Sequence, residues 1–166
     1  METIERQLLD ACGLINLGAS GQVTEISALF GGLLIVEDVA AEAPGSVLVA
    51  GSALQILSLT DIEAETFVAL AAVDGMDAGE AATFAAAVQR GLPVVTDDRR
   101  AIRVARDRLG DVRINSTPMI VRAYAEGIGL DDAAISQLIQ AIEAEASFIP
   151  ASGGVDVEWW ERYSAM

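Results

Sequence analysis

Short apolar runs alternate with helix-length segments along this chain, and that alternation restricts the fold more than any other feature. Strands separated by helix-length segments pair in parallel through crossover connections. The sequence therefore predicts an α/β fold, a three-layer α/β/α domain with a mainly parallel sheet of about five strands. The secondary structure of residues 47–50 is ambiguous from the sequence. The five predicted strands are residues 8–9, 33–36, 55–59, 92–96 and 112–115.

One predicted helix is marked at both ends. The segment Asp77-Ala78-Gly79-Glu80 is a capping-box pattern, and apolar residues then recur at positions 81, 84, 85 and 88. Gly91 follows, in the place where a glycine commonly ends a helix. The pattern predicts a helix over residues 78–90.

Other helix starts are predicted from hydroxyl and carboxyl side chains that can cap a first turn. Thr24 is expected to cap a helix reaching residue 30, and Thr60 or Asp61 a helix reaching residue 73. Thr117 is expected to cap the helix that begins with Pro118. The remaining predicted helices cover residues 11–17, 38–43, 101–109 and 130–146.

The chain has 166 residues, 52% of them apolar, which is enough for one core and too short for two full domains. Residues 1–149 are predicted to form one domain, and residues 150–166 a C-terminal tail with an aromatic segment. Trp159, Trp160 and Tyr163 are candidates for a partner or dimer surface. The alternative, which the short tail favours, is that they fold back onto the domain.

The residue types that are missing narrow the chemistry. There is no histidine and only one cysteine, so catalytic triads of the usual kind and cysteine-based zinc sites are not expected. All ten basic residues are arginine, which excludes Schiff-base and P-loop chemistry. Twenty-five acidic residues give a net charge of −15, which opposes general nucleic-acid binding. Any nucleic-acid chemistry must therefore be local.

No membrane span or secretory signal is predicted. The longest apolar stretch, residues 26–36, contains two glycines and is too short to cross a bilayer. Glu2 and Glu5 stand near the N-terminus, where a signal peptide would be basic. A cytoplasmic location is the expectation.

Several carboxylates follow predicted strands, and in doubly wound folds ligands bind beyond those strand ends. Oxygen ligands of this kind suit Mg²⁺ or Mn²⁺, which can activate water and stabilise charge on a phosphate. Each acid also has an ordinary alternative, such as a helix cap or a solvated position. Joint placement at one sheet edge favours a metal site. The candidates are Asp10, Glu42, Glu80, Asp97 and Asp98.

Six of the ten arginines lie between Arg99 and Arg113, directly after the paired aspartates. On a helix, Arg99, Arg103 and Arg106 form one stripe, opposite an apolar face. This stripe is a candidate RNA-binding surface, and a solvated basic face is the alternative.

Three segments together resemble PIN-domain proteins, and most closely the VapC-type toxins and related bacterial proteins. The resemblance spans residues 8–129. It implies metal ligation by Asp10, Glu80 and Asp98, with Glu42 as the second acid or Asp38 in its place; Asp97 could share the metal or cap the helix. The segments are Leu9-Asp10-Ala11-Cys12 with Leu14-Ile15-Asn16-Leu17, Asp77-Ala78-Gly79-Glu80-Ala81, and Val94-Val95-Thr96-Asp97-Asp98-Arg99-Arg100-Ala101.

The resemblance implies a Mg²⁺- or Mn²⁺-dependent endoribonuclease, often a homodimer and often inhibited by a small antitoxin. Cys12 departs from the family pattern, which commonly has serine, threonine or asparagine there. A thiol donates hydrogen bonds poorly, so support of Asp10 from this position is weakened. The rival hypothesis from another class is a PIN-like module that binds a partner or a metal without cutting. Receiver domains and other α/β phosphohydrolases need a lysine that this chain lacks.

Overall fold

The computed structural model describes residues 5–43 and 53–166. Within them lies a five-stranded sheet in the order β3-β2-β1-β4-β5, and every neighbouring pair is parallel. Helices flank the sheet, which confirms the predicted three-layer α/β/α fold. The ambiguous residues 47–50 fall outside the described ranges. The strands are β1 (Gln7–Leu9), β2 (Leu33–Val36), β3 (Leu54–Leu57), β4 (Val94–Val95) and β5 (Ile114–Asn115).

Nine helices are present in the described ranges, and none of them is long and apolar enough to cross a membrane. They are α1 (Ala11–Ala19), α2 (Val23–Leu29), α3 (Glu37–Glu42), α4 (Asp61–Ala71), α5 (Ala78–Arg90), α6 (Arg99–Leu109), α7 (Thr117–Ile128), α8 (Asp132–Ala146) and α9 (Val157–Ser164).

The strand order reverses between β1 and β4, and this reversal places the site. From β1 the chain adds β2 and then β3 on one side, whereas β4 and β5 lie on the other. Helices leaving the two sides diverge and open a crevice beyond the carboxyl ends of β1 and β4. Asp10 follows β1 directly, and Thr96-Asp97-Asp98 follows β4.

Small residues let the helices around this crevice pack closely. A Cβ atom on Gly13 would lie 2.5 Å from the backbone oxygen of Val95, so α1 can begin against the end of β4 only with glycine there. Helix α5 is alanine-rich and buried along most of its length. Its predicted bounds are confirmed, with the capping box between Asp77 and Glu80 and Gly91 in the left-handed conformation.

Two predicted helix caps were wrong. Helix α2 begins after Gln22, and Thr24 therefore lies inside the helix. The backbone N–H of Gln22 donates to the hydroxyl of Ser20. Helix α7 is capped by Ser116, because the hydroxyl of Thr117 donates instead to Asp97.

Strands β4 and β5 are also shorter than predicted. The Leu92 N–H bonds the carbonyl of Ala87 at the end of α5, and Pro93 has no N–H to offer a ladder. The Val112 N–H closes a turn on Gly110.

The aromatic tail folds back onto the domain. Trp160 is 1% exposed, its ring meets Phe148 edge-on at 5.4 Å, and its indole N–H donates to Glu143 over 2.8 Å. Tyr163 is buried as well, and its hydroxyl donates to Asp132. These contacts tie α9 to α8. The division at residue 149 stays a prediction.

A buried ion pair gives a first test of the packing. Glu63 is 2% exposed and accepts two hydrogen bonds from Arg90, at 2.6 and 2.9 Å, which is the main reason that its pKa lies below the usual value. Arg90→Gln removes the counter-ion of this carboxylate and leaves it with the Thr60 N–H as its donor. We expect a loss of about 2–3 kcal/mol in unfolding free energy, less than for fully buried pairs because the Arg90 side chain is 29% exposed.

The same pair gives a pH dependence with a definite sign. Because the folded pKa of Glu63 is lowered, its stabilisation is complete above the unfolded pKa of about 4.3 and is lost as pH falls through the folded value. Urea unfolding at pH 7 and pH 3 should show a smaller wild-type-to-variant difference at pH 3. Arg108→Gln, at an exposed position of α6, is the matched control. Equal stability of the two variants at pH 7 would contradict the account.

Candidate active site

Four acidic residues line one cleft beyond the carboxyl ends of β1 and β4. The cleft has a volume of about 370 Å³, and α1 and the C-terminal end of α8 form its other walls. Three of its acids, Asp10, Glu80 and Asp98, are sequence-predicted site residues. The fourth, Asp77, caps α5. The lining residues are Asp10, Ala11, Cys12, Ile15, Asn16, Asp77, Glu80, Asp98 and Ala146.

Asp10 is the most buried of these carboxylates, with 2% of its surface exposed. It caps α1, and its Oδ1 accepts a 2.6 Å hydrogen bond from the Gly13 N–H. Burial raises the pKa of Asp10 to about 7, against the lowering effect of hydrogen bonds from Gly13 and Thr96. The negative charges of Asp97 and Glu80 raise it further. Asp10 is therefore a desolvated carboxyl group among other acids.

Glu80 has a structural role that leaves it in the cleft. Its Oε2 accepts from the Asp77 N–H at 2.9 Å, and the Asp77 carboxylate accepts from the Glu80 N–H at 2.8 Å. Burial raises the pKa of Glu80, and the charges of Asp77 and Asp98 act in the same direction. Arg100 opposes them. The capping box thus fixes the position of a metal-ligand candidate.

Asp98 begins α6 and has the same double character. Its Oδ1 accepts from the backbone N–H groups of Arg100 and Ala101, at 2.8 and 2.9 Å. The Thr96 hydroxyl accepts from the Asp98 N–H at 3.2 Å. Local capping therefore orients a carboxylate into the cleft that Asp10 also lines.

Asp97 lies on the side of Asn16 and Thr117. Its Oδ2 accepts from the Thr117 hydroxyl at 2.5 Å and from the Asn16 amide at 3.3 Å. Burial raises its pKa, and these hydrogen bonds oppose the rise. The alternative in which Asp97 caps the helix was wrong, because Asp98 takes that position. A shared metal ligand at Asp97 stays a prediction.

The two candidates for the second acid lie outside this cleft lining. Glu42 is exposed at the end of α3, and its Oε2 would lie 3.3 Å from a Cβ atom on Gly79, beside the start of α5. Asp38 is half-buried in the first turn of α3. The choice between Glu42 and Asp38 stays open.

The arginines of α6 divide between two faces. Arg99, Arg103 and Arg106 line a groove of about 500 Å³ on the side facing the C-terminal loop. Arg100 lies on the other side, where its side-chain carbons would be 3.2 Å from a Cβ atom on Gly75 and its charge lowers the pKa of Glu80. Arg100 was not part of the predicted stripe, because its position on the helix turns it away from positions 99, 103 and 106.

Sequence reasoning also missed a polar network at the cleft wall. The Asn16 amide donates to Thr117, Asp97 and, at 3.6 Å, to the sulfur of Cys12. Burial and the charges of Asp10 and Asp97 raise the pKa of the Cys12 thiol to about 12, so it stays protonated. Asn16 follows Cys12 by four residues, and this helical spacing was the available signal.

The donor chemistry of the cleft fits a hard divalent cation. Four carboxylates line it, and none of them forms an ion pair with an arginine among the described residues. Burial is the main cause of the raised pKa values of Asp10 and Glu80, and the charges of neighbouring acids add to it. In residues 5–43 and 53–166, however, no three His, Cys, Asp or Glu side chains are close enough to hold an ion. Binding would have to draw the carboxylates together.

A three-layer α/β/α fold with an acidic cleft at the strand-order reversal is compatible with a nuclease. The chain belongs to the PIN-domain family, because residues 7–151 match the DUF3368 family, whose description is PIN domain. PIN domains are generally nucleases, which supports placing the protein among the hydrolases. No curated protein and no solved structure matched the chain significantly.

Proposed function

We propose that this protein is a divalent-metal-dependent endoribonuclease that hydrolyses RNA phosphodiester bonds in the cleft of Asp10, Glu80 and Asp98. The observation that carries the proposal is the sharing of one cleft by these three carboxylates, with Asp10 buried and raised in pKa to about 7. A desolvated acid beside other acids is a recognised mark of a functional site. Membership of a generally nucleolytic family gives the reaction class.

Each carboxylate would be held in place by the fold while it binds a cation. Asp10 is fixed by the Gly13 N–H, Glu80 by the Asp77 N–H and Asp98 by the first turn of α6. Mg²⁺ or Mn²⁺ bound there would stabilise charge on the phosphate and lower the pKa of water. The first turns of α5 and α6 lie at the cleft, where the Asp77 and Asp98 carboxylates accept from their backbone N–H groups. The positive ends of these helices therefore stabilise the ionised carboxylates.

Metal dependence is the direct test of this function. Purified wild type should cleave short single-stranded RNA in Mg²⁺ or Mn²⁺ and should stop when EDTA is added. Inactivity with both metals would reject the nuclease proposal. The alternative of a PIN-like module without cleavage would then be favoured if the same metals still raised the melting temperature.

Metal affinity should depend on pH with a predictable sign. Protons compete with the cation for Asp10, whose pKa is about 7, and for Glu80, whose pKa is raised. We therefore expect the Mg²⁺ concentration needed for half of the thermal stabilisation to rise severalfold between pH 8 and pH 6. In Asp10→Asn the dependence should be weaker. A pH-independent Mg²⁺ requirement in wild type would contradict the assignment.

The resemblance to VapC-type toxins extends the proposal to the toxin of a type II toxin-antitoxin pair, acting as a homodimer inhibited by a small antitoxin. Expression should then arrest growth, and a small reading frame adjoining the gene should restore it when co-expressed. Growth arrest by wild type but not by Asp10→Asn would support this role. Unimpaired growth with an active enzyme would leave a solitary ribonuclease.

A further inference from the structure

A basic groove separates α6 from the loop that precedes α9. The arginines of its rim are Arg99, Arg103 and Arg106, and Arg99 also donates a 3.1 Å hydrogen bond to the carbonyl of Ser152 in the loop. The groove volume of about 500 Å³ lies in the range of small-ligand sites. Its apolar lining includes Ile102, Ile114, Pro118, Met119 and Val157.

The rim of the groove is positively charged, whereas the molecule as a whole is negatively charged. In residues 5–43 and 53–166 the ion pairs involve Arg90, Arg113 and Arg122, and none involves an arginine of the rim. Asp107 and Asp97 line the groove as well, so the three arginines leave a local excess of one positive charge in a protein of net charge −15. Such a rim favours an anionic ligand.

The groove is continuous with the acidic cleft. Asp97 and Ala151 line the groove, and the same two residues line the neighbouring depression that also includes Cys12 and Asp98. Asp98 in turn lines the cleft of Asp10 and Glu80. A ligand that extends from the carboxylates along α6 would therefore enter the groove.

We propose that this groove binds one unpaired nucleotide of the RNA next to the scissile phosphate, with the base on the apolar wall and a phosphate on the arginine rim. The assignment rests on the proposed function, because the carboxylates mark where the cut falls. Continuity with them favours nucleic acid over an acidic peptide. A base held in a duplex is stacked and paired and cannot lie against this wall, so the substrate is single-stranded at that position.

Binding without cleavage tests the groove separately from catalysis. The probe is a fluorescent single-stranded octanucleotide RNA, and its anisotropy is followed with the full chain carrying Asp10→Asn in Mg²⁺. Adding Arg103→Gln should weaken binding about 5- to 20-fold and reduce the dependence on salt by roughly one phosphate contact. Arg108→Gln removes the same charge from an exposed position of α6 outside the groove and should change binding less than about 2-fold.

Two further probes test the base. An octanucleotide with abasic sites should bind more weakly than the intact strand. Its affinity should fall on Arg103→Gln by no more than the factor found for the intact strand, because the phosphate contact is the same. The same RNA in a perfect duplex should bind weakly and be insensitive to Arg103→Gln. Equal effects of Arg103→Gln and Arg108→Gln, or duplex binding as tight as that of the single strand, would overturn the proposal. The proposal would also be overturned if Arg103→Gln weakened the binding of a poly-glutamate peptide but left the binding of RNA unchanged. That result would make the groove a peptide site.

The outcomes also separate this proposal from the proposed function. If wild type fails to cut RNA but the single strand binds as described, the groove assignment stands and the nuclease proposal fails. If wild type cuts RNA and Arg103→Gln behaves like Arg108→Gln, the nuclease proposal stands and the groove assignment fails.

Discussion

Asp10→Asn is expected to lower RNA cleavage by more than about 100-fold without unfolding the protein. Loss of residues that merely support a metal ligand typically costs 10- to 100-fold, and Asp10 is proposed to be a ligand itself. Asparagine is nearly as good a helix cap as aspartate, so the hydrogen bond from Gly13 can be kept. Initial rates on single-stranded RNA and the melting temperature of each protein measure the two effects.

The matched control for this substitution is Asp111→Asn. Asp111 is exposed and precedes β5, at the opposite edge of the sheet from the cleft. The substitution Asp111→Asn removes the same charge and should leave the cleavage rate within about 2-fold of wild type, because surface substitutions away from special features usually change little. Comparable rates for Asp10→Asn and Asp111→Asn would reject Asp10 as a catalytic residue.

Trp160→Ala is expected to have the largest effect on stability. Removing a buried tryptophan typically costs about 3–5 kcal/mol, and here it also leaves the Glu143 carboxylate without its indole donor. For a chain of this size the melting temperature should fall by on the order of 10 °C. Urea unfolding at two protein concentrations measures the loss and shows whether it depends on assembly.

Trp159→Ala is the control within the same helix. Trp159 is only partly buried, and its ring contacts Tyr163 at 5.2 Å. Its replacement should cost clearly less than that of Trp160. A Trp160→Ala protein with unchanged stability would contradict the docking of α9, and a loss that grows on dilution would return Trp160 to an intermolecular surface.

Local signals account for the parts of the fold that the sequence predicted accurately. The capping box at Asp77 and Glu80 and the glycine at position 91 act within a few residues, so α5 could be bounded from the sequence alone. The apolar run 33–36 is buried completely and forms β2 as expected. The expectation that acids gather beyond the carboxyl ends of the strands followed from the general rule for doubly wound sheets, whereas the strand order was seen only in the structure.

Long-range contacts explain what could not be predicted. The Thr117 hydroxyl binds Asp97, twenty residues earlier in the chain, and so the cap falls to Ser116. The Asn16 network joins α1 to residues 97 and 117, and sequence spacing alone does not reveal such a contact. The position of the Glu42 side chain depends on how α3 packs against the start of α5, which the sequence does not reveal. In the structure Glu42 lies beside Gly79 and outside the cleft lining.

If Asp10, Glu80 and Asp98 bind a divalent cation together, the anomalous signal of Mn²⁺ in crystals will locate the ion between them. Carboxylate oxygens lie roughly 2.0–2.3 Å from such an ion. We expect a peak in the cleft at that distance from Asp10 and from at least one of Glu80 and Asp98, and we expect no such peak in Asp10→Asn crystals soaked identically. Wild-type crystals with no peak in the cleft and Mn²⁺ bound only elsewhere would show that these carboxylates do not form a metal site.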